Sequence, residues 1–309
     1  MMNKNTAVKS KKNYANSKKR NDYMWGWLLI APTTIGLLIL NIYPAIQSLL
    51  MSFQNVNSFG FSTWIGLENY VRLIQDSEFW QACWNTFKYA LLQVPITVVL
   101  STVIAVFLNK KIKGVGIYRT IFFLPMVAAP AAIAMVWRWL YNSEYGLINH
   151  LLSLVGYQGN IEWITDPNVA IYSIIIVGIW SNVGYNMILL LAGLQEVPNE
   201  YYEAATVDGA GPFRQFFQIT LPLISPSLFF VMVTSVISSL QVFDVIFMMI
   251  DKTNSALETS QSLVYLFYDH SFVLNDKGYG SAIIMVLVLI IMVITIVQLY
   301  LQKKWVHYD

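Results

Sequence analysis

Long uncharged apolar runs dominate the chain, and charged residues gather between them. A helix needs about 20 mostly apolar residues to cross the roughly 30 Å hydrocarbon core of a membrane. Six stretches qualify: Trp25 to Tyr43, Ala90 to Leu108, the run between Arg119 and Arg138, Ile171 to Leu194, Leu221 to Phe243 and Tyr279 to Leu301. A Leu, Ile, Phe or Val at a helix centre contributes about −0.3 to −0.6 kcal/mol to insertion, and a central charge costs about 2.5 to 3.5 kcal/mol. None of the six carries a central charge, so the pattern predicts six inserted helices; the third is the shortest. Six buried helices of a soluble protein would need amphipathic helices to cover them, and 309 residues leave none. The expected fold class is all-α, a polytopic membrane protein with six transmembrane helices.

Composition agrees. Hydrophobic residues make up 56% and charged residues 12%, against about 25% charged in soluble domains. The first apolar stretch has a basic leader but no A-x-A cleavage site after it, which suits an uncleaved signal anchor. A net charge of +2 gives no reason to expect a nucleic-acid partner. The single cysteine, Cys83, excludes an internal disulfide.

Lys and Arg set the expected orientation. The first 22 residues hold Lys4, Lys9, Lys11, Lys12, Lys18, Lys19 and Arg20; the second connection holds Lys110, Lys111 and Lys113; the tail holds Lys303 and Lys304. All fall on one side if there are six spans, with Arg119 and Arg214, so both termini are expected in the cytoplasm. The expected divisions are a basic tail over 1–22, a first span and outer segment over 23–84, a five-span core over 85–302 and a short tail over 303–309. Outside, the segment from Trp64 to Trp84 mixes aromatics with charge and reads as a helix on the membrane surface. The segment from Asp244 to Gly278 is also expected outside. The histidines His150, His270 and His307 fall in loops or the tail and are expected to be solvated.

The cytoplasmic segment from Gln195 to Thr220 is the most informative. With its flanks it reads EVPNEYYEAATVDGAGPFRQFFQITLP. Asn199 suits an N-cap, with Glu200 in the first turn. Tyr201 to Asp208 follow as two helical turns. Gly209 and Gly211 break the helix, and Pro212 suits the first position of the next one. Ala204 and Ala205 offer a smooth surface to a partner, and Glu203 and Asp208 offer charge. An interfacial loop with no partner fits the same residues.

This segment resembles the EAA loop of ABC importer permeases: Glu203-Ala204-Ala205, then Gly209, then Ile219, Leu221 and Pro222, the full pattern EAA-x3-G-x9-I-x-LP. The wording DGAGPFRQFFQITLPLISP resembles the carbohydrate-uptake branch, which includes maltose and glycerol-3-phosphate permeases. Trp64 to Leu91, Tyr118 to Asn149 and Gln241 to Met249 also look like that branch. Unlike the maltose permease, this chain has six apolar stretches rather than eight and no large inserted outer domain. The resemblance implies the type I importer permease fold in a bacterial plasma membrane. It implies a second homologous permease subunit, two cytoplasmic ATPase subunits gripping the EAA loops at 195–222, and an extracellular sugar-binding protein. It further implies that ATP and Mg belong to the ATPases. The chain agrees, having no G-x4-GK-[ST] phosphate loop.

Polar groups inside spans are expensive and usually face a cavity or another helix. In the fourth span, Asn182, Tyr185 and Asn186 share a helical face, with Gly184 nearby; in the fifth, Ser235, Ser238 and Ser239 have the same spacing, with Gln241 and Asp244 beyond. A sugar asks for amides and hydroxyls to hydrogen-bond and a ring to stack on, and these residues supply all three. Helix–helix packing is the plain alternative, because Ser and Gly are ordinary contact residues between membrane helices. Counted from the EAA motif, Tyr185 and Ser235 fall near positions that line the sugar site in the maltose permease. Asp244 suits an outer gate, a contact with the binding protein, or the end of a span in water. No cation and no ring of carboxylates lies mid-span, which puts a neutral carbohydrate ahead of a phosphate ester, another polyol or a polyamine.

Overall fold

The computed structural model describes residues 21, 23–56, 61–110 and 112–306. The basic tail expected over 1–22 lies outside the described residues save Asn21, and so do Lys111 and His307. Four helices are long and apolar enough to span a membrane unbroken: α1 (Tyr23–Met51), α3 (Ser77–Leu108), α7 (Ala170–Glu196) and α13 (Lys277–Trp305). Two bent pairs complete the set. The helices α4 (Val115–Val127) and α5 (Pro130–Leu140) meet at 101°, and α9 (Pro212–Leu223) and α10 (Ser225–Leu240) meet at 69°. Six spans result if each pair is one span, which is compatible with the sequence expectation.

Proline accounts for the first bend. Pro130 disfavours helical geometry at the residue before it, and Ala129 is extended at φ −62, ψ 135. Hydropathy passes through this break unnoticed because every residue around it is apolar. At the second bend, Ile224 leaves helical geometry at φ −88, ψ 3, just before Pro226 near the start of α10.

The outer segment departs from expectation. The helix expected on the surface from Trp64 to Trp84 is two elements: α2 (Glu68–Gln75) and the start of α3, which begins at Ser77. Asp76 divides them, its carboxylate accepting from the Glu78 N–H. Before α2 stands a hairpin, β1 (Gln54–Val56) with β2 (Ser62–Trp64), a small exception to an all-α fold. Asn69 pins the hairpin by donating to the carbonyls of Ser52 and Gln54 at 2.9 and 3.0 Å. A latch joins α2, α3 and α13 on this side: Arg72 pairs with Asp276 at 2.6 Å and lies over the Tyr279 ring, whose hydroxyl donates to Asp76.

The segment from Asp244 to Gly278 is folded and partly buried. It forms α11 (Asp244–Met249) and α12 (Leu263–Tyr268), whose Ile246, Met249, Leu263 and Leu266 are buried. His270, expected in solvent, is 7% exposed and stands edge-on to Tyr279. His150 is exposed, in a short helix α6 (Leu147–Leu154).

Glycines set the spacing of the core around α7. A Cβ at Gly184 would lie 1.8 Å from the Phe122 carbonyl oxygen of α4, one at Gly178 2.0 Å from the Tyr89 hydroxyl of α3, and one at Gly193 2.2 Å from the Ser227 hydroxyl of α10. Membrane helices gain stability from such close approach. Ser101 of α3 adds a hydrogen bond across the seam, donating to the Val183 carbonyl at 2.9 Å.

Candidate functional site

Two sites follow from this frame, a cavity among the spans and a helical turn at the end of α7.

The cavity has a volume of about 220 Å³ and is lined from α3, α7, α10 and the start of α11. Seven of the eight residues expected on the substrate path line it: Asn182, Tyr185, Asn186, Ser235, Ser238, Ser239 and Gln241. Gly184 does not. It is buried against the Phe122 carbonyl, so its role is packing. Asp244, the first residue of α11, lines the cavity as well. Sequence reasoning missed Tyr89, Gln93, Gly178, Ser181 and Thr234. Their signal was present: Tyr89 and Gln93 are one turn apart on α3, and Gly178 and Asn182 one turn apart on α7.

The polar groups are not equally available. Asn186 donates to the Ser235 hydroxyl at 2.8 Å, and both residues are buried, so this pair ties α7 to α10. Ser238 donates to the Thr234 carbonyl and Ser239 to the Val236 carbonyl, bonds within α10 itself. Asn182 commits its amide N–H to the Gly178 carbonyl at 2.8 Å. The side chains of Ser238, Gln241 and Asp244 are exposed, and Tyr185 is half-buried. The cavity can therefore offer hydroxyls, amides, the aromatic rings of Tyr89, Tyr185 and Phe243, and one carboxylate. None of its lining residues is Lys, Arg or His.

The second site is the segment with the EAA pattern. Its helix α8 (Asn199–Val207) starts one residue earlier than a capping role for Asn199 requires: Pro198 is the cap, and no side chain accepts there. The C-terminal end is as expected. Gly209 has φ +77. The Ala210 N–H donates to the Ala205 carbonyl at 2.8 Å and the Gly209 N–H to the Thr206 carbonyl at 3.1 Å, the two bonds of a Schellman cap. Gly211, in contrast, is extended, with φ −72 and ψ 169, and leads into Pro212 at the start of α9. Glu203, Ala204, Asp208 and Gly209 are exposed, and Ala205 is half-buried. Leu221 and Pro222 are half-buried in the last turn of α9, at the bend into α10.

A side-chain network holds this turn. The Gln215 amide donates to the Thr206 hydroxyl and to the Ala210 carbonyl, each at 3.0 Å. The Tyr202 and Thr220 hydroxyls bond at 3.0 Å. Helix α8 is thereby fastened to α9.

Residues 79–307 match the family described as binding-protein-dependent transport system inner membrane component. A probable ABC transporter permease protein, YesP of Bacillus subtilis, is 35% identical over 292 residues, covering 94% of both chains. The sn-glycerol-3-phosphate transport system permease protein UgpA of Salmonella choleraesuis is 34% identical over 286 residues, covering 92% of this chain and 95% of its own. Among solved structures, a chain of a bacterial ABC transporter involved in the import of the acidic polysaccharide alginate superposes with a TM-score of 0.82. It is 24% identical, covers 94% of this chain and 99% of its own, and so speaks to the fold. With three quarters of its length inside the family and relatives matched nearly end to end, the chain belongs to the binding-protein-dependent transport system inner membrane components: it is a multi-pass ABC transporter permease.

Proposed function

We propose that this permease imports a neutral carbohydrate. The observation that carries the reading is the lining of the cavity: amides, hydroxyls and the Tyr185 ring, with Asp244 and no cationic residue. An aromatic ring gives the apolar face of a sugar a surface, and the polar groups meet its hydroxyls. A phosphate ester or a uronate would bring negative charge beside Asp244 with no lining cation to balance it, at a cost set by low local dielectric. The relative from Salmonella choleraesuis, a glycerol-3-phosphate permease protein, keeps the phosphorylated polyol as the second reading. The lack of a lining cation counts against it.

In this reading the chain pairs with a second, homologous permease, and two cytoplasmic ATPase subunits each hold one EAA segment. An external binding protein delivers the solute, and both termini of this chain lie in the cytoplasm. Exposed Glu203, Ala204, Asp208 and Gly209 form the docking surface. The bonds from α8 to α9 carry its movement through the bend to α10, which lines the cavity.

The test is uptake of labelled solutes by cells holding the whole transporter, with neutral sugars, glycerol phosphate and a uronate oligomer compared. The expected outcome is uptake of one or more neutral sugars, reduced by Tyr185→Ala and by Asn182→Ala with the amount of assembled complex unchanged. Uptake of the anionic solutes alone would contradict the carbohydrate reading.

A further inference from the structure

Helix α3 reaches the cavity through Tyr89 and Gln93, which share a helical face at i and i+4. Gln93 is 3% exposed. Its amide nitrogen donates to the Thr97 hydroxyl at 3.2 Å, and its Oε1 has no partner. Turning the amide over would leave the NH2 group unpaired instead, so one polar end of Gln93 stays open in either assignment. Ser181 of α7 lines the same cavity, and its buried hydroxyl also has no partner.

The rest of the polar row on α3 is paired. Thr97 takes the Gln93 amide, and Ser101, one turn on, donates to the Val183 carbonyl of α7. Gln93 differs from those two in that its open end lies at the cavity wall. Gly178 belongs to the same arrangement, because a Cβ there would lie 2.0 Å from the Tyr89 hydroxyl. The glycine leaves room for that hydroxyl at the cavity wall. Buried polar groups in native proteins nearly always find a partner, and the unpartnered atoms of Gln93 and Ser181 border a cavity that a solute can enter. Two orphaned atoms lining one cavity match a site whose missing partners arrive with the ligand.

We propose that Gln93, with Ser181 and Tyr89, forms a hydroxyl-recognising subsite on the α3 side of the cavity, and that Gln93 sets which hydroxyl pattern is transported. The inference rests on the carbohydrate reading and deepens it. A carboxamide suits a hydroxyl in either orientation, since the hydroxyl can donate to its oxygen or accept from its nitrogen. A solute lacking that hydroxyl leaves Gln93 unpaired, and a site built to hydrogen-bond a group rejects the analogue without it.

The experiment measures maximal uptake rates in cells holding the whole transporter, with the transported sugar and its single-deoxy analogues. Wild type is compared with Gln93→Met, Gln93→Asn and Thr97→Val. The ratio of variant to wild type for each solute cancels the discrimination of the external binding protein. Gln93→Met should slow the parent sugar by about tenfold and one deoxy analogue by no more than about twofold, a coupling between residue and hydroxyl. Gln93→Asn, polar but shorter, covers the case in which Met does not assemble and should show the same selective loss. Thr97→Val should keep the wild-type order of solutes. An equal loss on every solute, or no loss on any, with normal assembly, would overturn the proposal. If wild type carries a phosphorylated polyol and no neutral sugar, the carbohydrate reading falls. The same comparison on that polyol and its deoxy analogue then decides the subsite separately.

Discussion

Two glycines show how differently one residue type is used here. At Gly184 the constraint is space: a Cβ would lie 1.8 Å from the Phe122 carbonyl oxygen, a backbone atom with little freedom to retreat. At Gly209 the space is open, with nothing within 4 Å, and the constraint is φ +77. Gly184→Ala should therefore force α7 from α4 and destabilise the protein by about 1 to 3 kcal/mol, lowering its thermal midpoint in detergent. Gly209→Ala should cost about 1 to 2 kcal/mol, confined to the turn after α8. Equal thermal midpoints for wild type and Gly184→Ala would remove the packing account. Sequence alone could place Gly184 beside Tyr185 on a polar stretch. It could not reveal a neighbouring backbone supplied by residue 122, because that contact exists only once two spans pack.

At the scale of elements, apolar length was legible because insertion demands it: five of the expected spans lie within a helix or bent pair, and the other, Leu221 to Phe243, runs three residues past the end of α10. The bends were not, although Pro130 and Pro226 were in view, because hydropathy does not register a break between two apolar halves. The cavity was half legible. Clusters on α7 and α10 stood out by helical spacing, whereas Tyr89 and Gln93 needed α3 to pack against α7 before their meaning appeared. The EAA segment was legible in its glycine turn, but not in the Gln215 and Tyr202 bonds that hold it to α9. Those bonds lead to a prediction. Gln215→Leu combined with Tyr202→Phe should loosen the link from α8 to α10 while leaving the docking surface intact. ATP hydrolysis by the assembled complex should persist and solute moved per ATP should fall severalfold. Unchanged stoichiometry would show that these bonds carry no coupling. Ala204→Trp should act one step earlier. A large side chain on the exposed face of α8 should reduce co-purification of the ATPase, read on a gel beside wild type.

For the whole molecule, the proposed function places the ends of α7 and α9 that flank α8 in the cytoplasm, together with both termini. Single cysteines in a Cys83→Ser chain report this directly. Positions 207 and 305 should resist an impermeant thiol reagent in intact cells and react after lysis, while position 253, between α11 and α12, should react in both. Labelling of 207 before lysis would invert the account. The central claim is that solute outside is coupled through this chain to ATP hydrolysis inside, with a neutral carbohydrate as the solute. The most direct measurement is ATP hydrolysis by the purified transporter in lipid nanodiscs, with its binding protein empty or loaded from a panel of sugars and phosphorylated polyols. The account predicts stimulation by at least one sugar-loaded binding protein, weakened by Tyr185→Ala and lost in Ala204→Trp. Stimulation by a phosphorylated polyol alone, or an Ala204→Trp complex as active as wild type, would contradict it.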